Sequence, residues 1–338
     1  MKVTLIGSGS WGSTIGLHLH DLGHELSFWE HDADRVEKMI HERENDLLPG
    51  LKIPESIFVS NRLEEVLKEP ELIVTAVPSH VMRPVMQAAS RVAPRSKPLI
   101  VNISKGIEND TLKRMSELIA ENLRWPIQGV VTLSGPSHAE EVSRKLPTLL
   151  VAASEDEALS AGVQETFMSE RLRIYTSTDL RGVEYGGSLK NVIAIAAGIC
   201  DGVGFGDNTK TALIIRGAFE ITRMGVALGA RAETFAGLSG MGDLIVTGMS
   251  RHSRNRHVGE ELGKGRKLKD VLAGMKMVAE GVHTARSAYQ LAQKSGVEMP
   301  IAESIYRILF EEADPLKEVN TLMNRDPRRE WHSLEEKL

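Results

Sequence analysis

The first twelve residues, MKVTLIGSGSWG, constrain this chain more than any other stretch. Lys2 to Ile6 is a short apolar run with β-branched residues and reads as a strand. It empties into Gly7-x-Gly9-x-x-Gly12, after which Trp11, Ile15, Leu19 and Leu22 recur at helical spacing. Strand, glycine turn and helix in that order form a dinucleotide-binding fingerprint. Gly7 permits the tight turn, Gly9 lets backbone approach a pyrophosphate, and Gly12 lets helix and strand pack closely. The helix N-terminus offers unpaired N–H groups and a positive dipole end to the anion. Without that context the glycines would be only a turn; with it, the chain is expected to hold NAD(H) or NADP(H).

The first half repeats the alternation. His24 to Glu30, Leu72 to Val77, Leu99 to Ser104, Gly129 to Ser134, Thr148 to Ala153 and Arg173 to Thr176 read as further strands. Helical patterns fill the gaps, among them Thr111 to Leu123 and His138 to Leu146. Such spacing implies βαβ units and an α/β fold with a doubly wound, Rossmann-type, mostly parallel sheet. Beyond about Asp179 the strand signals vanish. Val192 to Ile199 is apolar on every face and reads as a helix buried all round. Thr211 to Leu228, Leu268 to Met275, Thr284 to Ser295 and Ala302 to Glu312 read as further helices. The expected division is a dinucleotide-binding domain over 1–179 and an all-helical substrate-binding, catalytic domain over 180–338. The polar tail from Arg325 is expected to be loosely attached.

Composition narrows the partners. At 338 residues two domains are favoured, and 41% apolar content is enough for a real core. A net charge of −5 argues against nucleic acid. The single cysteine, Cys200, excludes an intramolecular disulfide and a multi-cysteine metal site, and fits a reducing compartment. No apolar run is long enough to insert in a membrane, and the opening residues already read as strand rather than signal peptide. A cytoplasmic enzyme is the expectation; a homodimer is a possible assembly that no residue pattern specifies. His18, His20 and His24 sit at spacings that do not converge, so they read as surface residues and no metal is expected.

Polar clusters stand where a parallel sheet collects them, at strand carboxyl ends: Val77 to His80, Ser104 to Gly106 and Ser134 to Ser137. Lys105 is a cation suited to an anionic substrate or to cofactor, unless it is an ordinary solvated lysine. Gly135 and Ser137 offer donors at a helix start, unless Ser137 is a plain cap. Lys190 opens the buried helix in GGSLKNVIAIAAG, where desolvation would lower its pKa towards that of a working acid or base. Its alternative is a lysine whose head reaches water. Neighbouring Asn191 could hold the amine or a substrate oxygen. In GLSGMGDLIVTGMSRHSRNR, Asp243 follows a glycine-rich turn, and Ser253, Arg254 and Asn255 set hydroxyl, guanidinium and amide in a row. Arg251, Arg256 and His257 make the segment locally basic. A small phosphate suits it better than nucleic acid, which would want interleaved aromatics; a solvated charged face is the other reading.

These residues carry a resemblance to a known family. GSGSWG, VPSH at 77–80, SKGIE at 104–108, SGPSHAEE at 134–141, GGSLKNVIAIAAGICDGVGFGDN at 186–208, GMGDLIVT at 240–247, SRNR at 253–256 and VAEGVHTA at 278–285 occur in order. The chain resembles the bacterial type of NAD(P)-dependent glycerol-3-phosphate dehydrogenase over nearly its whole length. The resemblance implies reversible reduction of dihydroxyacetone phosphate to sn-glycerol 3-phosphate, feeding glycerophospholipid synthesis. It implies Lys190 as general acid and base, and substrate contacts from Lys105, Gly135, Ser137, Lys190, Asp243, Ser253, Arg254 and Asn255. It implies cofactor contacts from Ser10, Trp11, His31, Lys105, Ala139, Arg254, Val278 and Glu280, beside Gly7, Gly9, Gly12 and Glu30 read from the fingerprint unit. Trp11 and His138 stand where relatives often carry other residues, which leaves these roles intact. A 3-hydroxyacid or 6-phosphogluconate dehydrogenase would place the partner asparagine several residues after the lysine, whereas Asn191 is adjacent. A sensor that binds dinucleotide without turnover would not need Lys190 and the phosphate cluster together.

Glu30 ends the second strand, where an acidic residue hydrogen-bonds the adenosine ribose and repels a 2′-phosphate. Arg35 and His31 lie just beyond and could attract that phosphate; Glu30 could also simply face solvent. Repulsion by Glu30 is expected to outweigh a mobile Arg35, giving a modest preference for NADH.

Overall fold

The computed structural model describes residues 1–327 and 329–330. The chain divides into two compact units, one of Met1–Gly106 and Lys113–Glu184, the other of Ile107–Leu112 and everything described from Tyr185 onward. The sequence places the boundary at 179/180. It falls instead inside the helix Leu180–Val203, and a six-residue piece of the first half joins the second unit.

The first unit is built on eight strands: β1 Lys2–Ile6, β2 Glu25–Trp29, β3 Phe58–Ser60, β4 Leu72–Thr75, β5 Leu99–Asn102, β6 Val130–Ser134, β7 Thr148–Ala153 and β8 Leu172–Ser177. Their order across the sheet is 3-2-1-4-5-6-7-8, and every pairing is parallel except β6 with β7. Side chains alternate between two buried layers: Val3, Leu5, Val74 and Val101 enter one core, Ile6, Ile73 and Ile100 the other. That alternation within apolar runs is why the strands read as buried on both faces. The strand order reverses between β1 and β4, the place where open sheets of this kind bind ligands.

Three local expectations change. β3 has only three residues, too few for a period to show. The helix expected over 111–123 is confined to Met115–Asn122, because Asp110 and Leu112 take positive φ and break it. The helix expected over 138–146 is a single turn, Ala139–Val142, ended by Lys145 at φ 60°.

Among its described residues the named elements of the second unit are all helices. Its centre is the buried helix Leu180–Val203, packed backbone to backbone against Arg254–Gly263. A Cβ on Gly198 would lie 1.9 Å from the Arg256 carbonyl oxygen, and one on Gly259 would lie 1.9 Å from that of Ile195. Helices Asp207–Ala227, Asp243–Met249, Glu280–Ser295 and Pro300–Phe310 complete the core. Among the described residues no helix is long and apolar enough to cross a membrane. Of the polar tail, Arg325 reaches Glu298 at 3.1 Å; residues 328 and 331–338 lie outside the described residues. The sequence reads His18 as a surface residue, but it is half-buried with its ring 2.8 Å from the Phe167 carbonyl, and burial pushes its pKa down.

One buried carboxyl makes a measurable demand on the fold. Pro300 opens its helix without an N–H, and Glu220 of Asp207–Ala227 accepts the next two, from Ile301 at 2.8 Å and Ala302 at 3.3 Å. Burial pushes the Glu220 carboxyl up to about 7, helped by nearby Glu303 and opposed by the two N–H groups and Arg223. Because the folded value exceeds the unfolded one, Glu220 contributes fully below about pH 4.5, and the contribution is lost as pH rises through about 7. Glu220→Gln keeps an acceptor and removes the titration. Denaturant unfolding at pH 5 and pH 8 should show the wild type losing up to roughly 3 kcal/mol relative to the variant. Parallel pH profiles would contradict this account.

Candidate active site

In the first unit the chain leaves β1 through Gly7, whose φ of +102° favours glycine. A Cβ there would lie 2.9 Å from backbone atoms of Ala76 and Val77, the residues that follow β4. A Cβ on Gly12 would lie 2.2 Å from the Gly7 carbonyl oxygen. Gly9 differs, since a Cβ there would meet nothing within 4 Å. It directly precedes the helix Ser10–Asp21, which has neither a side-chain cap nor an acidic residue in its first turn. Open ground before an uncapped helix N-terminus suits a pyrophosphate. The Trp11 indole nitrogen is a buried donor with no acceptor among the described residues. The residues present therefore fit a dinucleotide.

The loop is held by a residue that no pattern singled out. Asn45 is fully buried, and its Nδ2 donates to the Ser8 carbonyl at 3.0 Å and to Ser13 Oγ at 2.8 Å. Its Oδ1 accepts from the Leu47 nitrogen and from Arg35 Nη2. An isolated asparagine between elements gives no periodic signal, so only the fold shows this brace.

Glu30 does not face solvent. It is 4% exposed and accepts from Ser8 Oγ at 2.8 Å, His31 Nδ1 at 2.8 Å and Arg35 Nη1 at 2.7 Å. Nor is Arg35 mobile: besides Glu30 it reaches Asp46 at 3.2 Å and the Ser8 carbonyl at 3.4 Å. Two carboxylates therefore already neutralise the one cation that could greet a 2′-phosphate, while His31 remains largely exposed.

Further along the sheet, Lys105, Gly135 and Ser137 converge on one atom. Lys105 Nζ donates to the Gly135 carbonyl at 3.0 Å, and Ser137 Oγ donates to the same oxygen at 2.9 Å. Ser137 is thus not a helix cap; the residue at that position is His138, and Ala139 begins the short helix. Gly135 takes a φ of +134°, with the Leu149–Leu150 backbone 3.2 Å from where a Cβ would sit.

In the second unit, Lys190 is 5% exposed and its head does not escape to water. Its Nζ donates to Asp243 Oδ1 at 2.5 Å and to Thr247 Oγ1 at 2.7 Å. Thr247 gives its own proton to the Asp243 carbonyl at 2.6 Å, so its oxygen must accept from the ammonium. Asp243 and Thr247 stand one turn apart on Asp243–Met249, which follows a π-helical turn over Leu238–Gly242 rather than a loose glycine loop. Thr247 escaped the sequence reading because a helical threonine resembles any other until its partner is known.

Asn255 ties three helices together. Its Nδ2 donates to Asn191 Oδ1 at 2.9 Å, and its Oδ1 accepts from the Gly281 nitrogen at 2.8 Å. Asn191 therefore serves Asn255 rather than the amine. Ser253 caps Arg254–Gly263, with Oγ accepting from the Arg256 nitrogen at 3.1 Å. Arg254 is exposed and donates to the Val278 carbonyl at 2.8 Å, two residues before half-buried Glu280 opens its helix. The basic segment does not act as one patch, since Arg256 turns to Asp201 at 2.6 Å and Glu260 at 3.3 Å. Among the described residues no group of three or more His, Cys, Asp or Glu is placed to hold a metal.

Comparison with known proteins decides the family. Residues 2–160 match the NAD-dependent glycerol-3-phosphate dehydrogenase N-terminus, and residues 179–320 match the C-terminus of the same family. The chain belongs to the NAD-dependent glycerol-3-phosphate dehydrogenases. A relative from Thermoanaerobacter, named glycerol-3-phosphate dehydrogenase (NAD(P)+), is 48% identical over 99% of this chain and 100% of its own length. One of the same name from Syntrophotalea carbinolica is 49% identical over 98% and 99%. The crystal structure of glycerol-3-phosphate dehydrogenase from Coxiella burnetii superposes with a TM-score of 0.90 at 34% identity, covering 96% of this chain and 99% of that one. Membership of this family and the Rossmann-type sheet together imply NAD(H) or NADP(H) as cofactor.

For a dehydrogenase of this family the Glu30 environment makes a prediction. With Arg35 already paired to two acids, kcat/KM should favour NADH modestly over NADPH. Glu30→Gly releases Arg35 and removes the repelling charge, shifting the ratio towards NADPH by roughly tenfold, the equivalent of about 1.4 kcal/mol. Steady-state kinetics with both cofactors checks this, and a strong wild-type preference for NADPH would refute it.

Proposed function

We propose that this chain reduces dihydroxyacetone phosphate to sn-glycerol 3-phosphate, reversibly, in the cytoplasm, supplying backbone for glycerophospholipids. The observation that carries the reading is the buried Lys190 ammonium fixed by Asp243 and Thr247. It stands in a chain whose first unit has a dinucleotide cradle and whose relatives bear the name of this reaction.

The reduction adds a hydride to the ketone carbon and a proton to its oxygen. The cofactor, when bound, supplies or takes back the hydride; Gly7, Gly9, Ser10, Trp11, Gly12, Glu30, His31 and Ala139 would hold it, with Val278 and Glu280 from the helical unit. Lys190 Nζ gives its proton to the carbonyl oxygen in reduction and recovers it from the hydroxyl in oxidation. Asp243 and Thr247 keep Nζ at one position through both steps. Arg254 suits the phosphate, because a guanidinium offers a planar pair of donors, and the Ser253 hydroxyl and the Asn255 amide stand beside it. Lys105, Gly135 and Ser137 supply a second set of substrate contacts from the first unit, and Lys105 and Arg254 serve cofactor as well.

Oxidation of NADH and NADPH in the presence of dihydroxyacetone phosphate tests the whole reading. Binding of cofactor without turnover would indicate a sensor instead. Lys190→Met should cut kcat by roughly 10²–10⁴-fold, the usual weight of general acid–base catalysis, with cofactor affinity retained. A variant keeping half of wild-type turnover would remove Lys190 from that role. Arg254→Lys keeps charge and loses the fork, so KM for dihydroxyacetone phosphate should rise while stability stays near wild type. An unchanged KM would dissociate Arg254 from the phosphate.

A further inference from the structure

A buried polar row crosses the first unit from the ends of β4 and β5 to the middle of β6, and neither the fingerprint nor the substrate contacts use it. Thr75, Asn102 and Thr132 are neighbours in register on these strands, and each is at most 2% exposed. Thr75 Oγ1 donates to Asn102 Oδ1 at 3.2 Å, and Asn102 Nδ2 donates to Thr132 Oγ1 at 3.4 Å. Thr132 Oγ1 in turn donates to Glu184 Oε1 at 3.3 Å. Glu184 also accepts from Arg114 Nη1 at 2.7 Å, the Ser116 nitrogen at 2.9 Å and Ser116 Oγ at 2.6 Å. Burial pushes the Glu184 carboxyl up, while Arg114 and Ser116 pull it down.

Buried amides in mid-sheet are costly unless every donor and acceptor is met. Asn102 is fully buried and meets that condition at one point in particular. Its Oδ1 accepts from the Ser104 nitrogen at 3.1 Å and its Nδ2 donates to the Ser104 carbonyl at 3.1 Å. The amide therefore grips both backbone groups of the residue before Lys105, and its two ends cannot be exchanged without facing like to like. Ser104 is pinned a third time by its own hydroxyl, which donates to the Val77 carbonyl at 2.6 Å. Thr132 reinforces the same orientation: with its proton given to Glu184, its lone pair is turned to Asn102 Nδ2.

We infer that Asn102 is a positioning residue for Lys105, fixing the turn at Ser104 so that the Lys105 ammonium is presented beside the Gly135 carbonyl. The inference rests on the proposed role of Lys105 as a substrate contact. Asn102 acts at the strand end and reaches the substrate only through the lysine. Lys190, which handles the proton, is untouched by it.

A double-mutant cycle tests this. Lys105→Met alone should raise KM for dihydroxyacetone phosphate. Asn102→Ala should raise KM in the same direction by roughly five- to tenfold, in line with the cost of misplacing a binding group by a fraction of an ångström. In the Lys105→Met background Asn102→Ala should raise KM no further. An equal rise in both backgrounds, or a loss of kcat with KM unchanged, would overturn the inference and leave Asn102 a structural residue. If Lys105→Met itself leaves KM unchanged, the substrate-contact reading of Lys105 fails instead. Should Asn102→Ala not fold, Asn102→Ser carries the same cycle, since a serine hydroxyl can accept from the Ser104 nitrogen but cannot grip both groups. Failure of both variants to fold would assign Asn102 to the fold and overturn the inference.

Discussion

Backbone contact between the helices Leu180–Val203 and Arg254–Gly263 sets the geometry of the Asn191, Asn255 and Gly281 cluster in the helical unit. Glycines on both helices remove the side chains that normally keep axes apart, and carbonyls lie where Cβ atoms would be. At that separation Asn191 and Asn255 meet directly, and Gly281 brings a third backbone close enough to donate to Asn255. Glycine inside a helix costs about 1 kcal/mol relative to alanine. Gly198 and Gly259 would therefore weaken an isolated helix, and the close packing offsets that. The apolar stretch Val192–Ile199 then has somewhere to be buried on all sides, as its composition requires.

Several buried charges are met by an opposite one. Lys190 has Asp243, Arg114 has Glu184, Arg35 has Glu30, and Lys210 has Asp201 at 2.8 Å. Such pairs seldom stabilise more than apolar residues of the same shape would, but losing one partner costs about 3–5 kcal/mol. They act as commitments to a geometry: each forces two elements into register. Glu220 differs in partner, meeting backbone N–H groups instead of a contacting cation, and its carboxyl is pushed up to about 7. Burial also pushes up the Glu184 carboxyl, although Arg114 opposes it.

What was legible in the sequence was whatever repeats. Strands buried on both faces announce themselves as apolar runs, and the fingerprint shows in the sequence because Gly12 answers to the Gly7 carbonyl five residues before it, although Gly7 itself answers to Ala76 and Val77. What was hidden depends on partners far along the chain. Asn45, Thr247 and Asn102 are polar residues without period, and each acquires meaning only from a neighbour the fold delivers. Arg35 shows the opposite error. Read alone it is a flexible cation, but Glu30 and Asp46 hold it from two sides. Boundaries failed for the same reason: positive φ at Asp110, Leu112 and Lys145 interrupts helices whose apolar spacing runs on unbroken.

The Lys190 arrangement shows what burial would add to the proton donor we propose. A lysine on an exposed helix face loses rotamer freedom only when substrate arrives, and that entropy opposes the reaction. Here the freedom is already lost in the folded state. Asp243 and Thr247 stand on consecutive turns of one helix, and the threonine proton is committed to the Asp243 carbonyl, so the ammonium is held at two points. The cost is met during folding, by the core that buries Leu189, Val192 and Ile193 around the same turn. Pre-set donors need no reorganisation as charge develops on a substrate oxygen, which is where electrostatic catalysis gains most. Arg254 is placed by the opposite logic. It is exposed and donates to the Val278 carbonyl, as would suit the phosphate contact proposed for it.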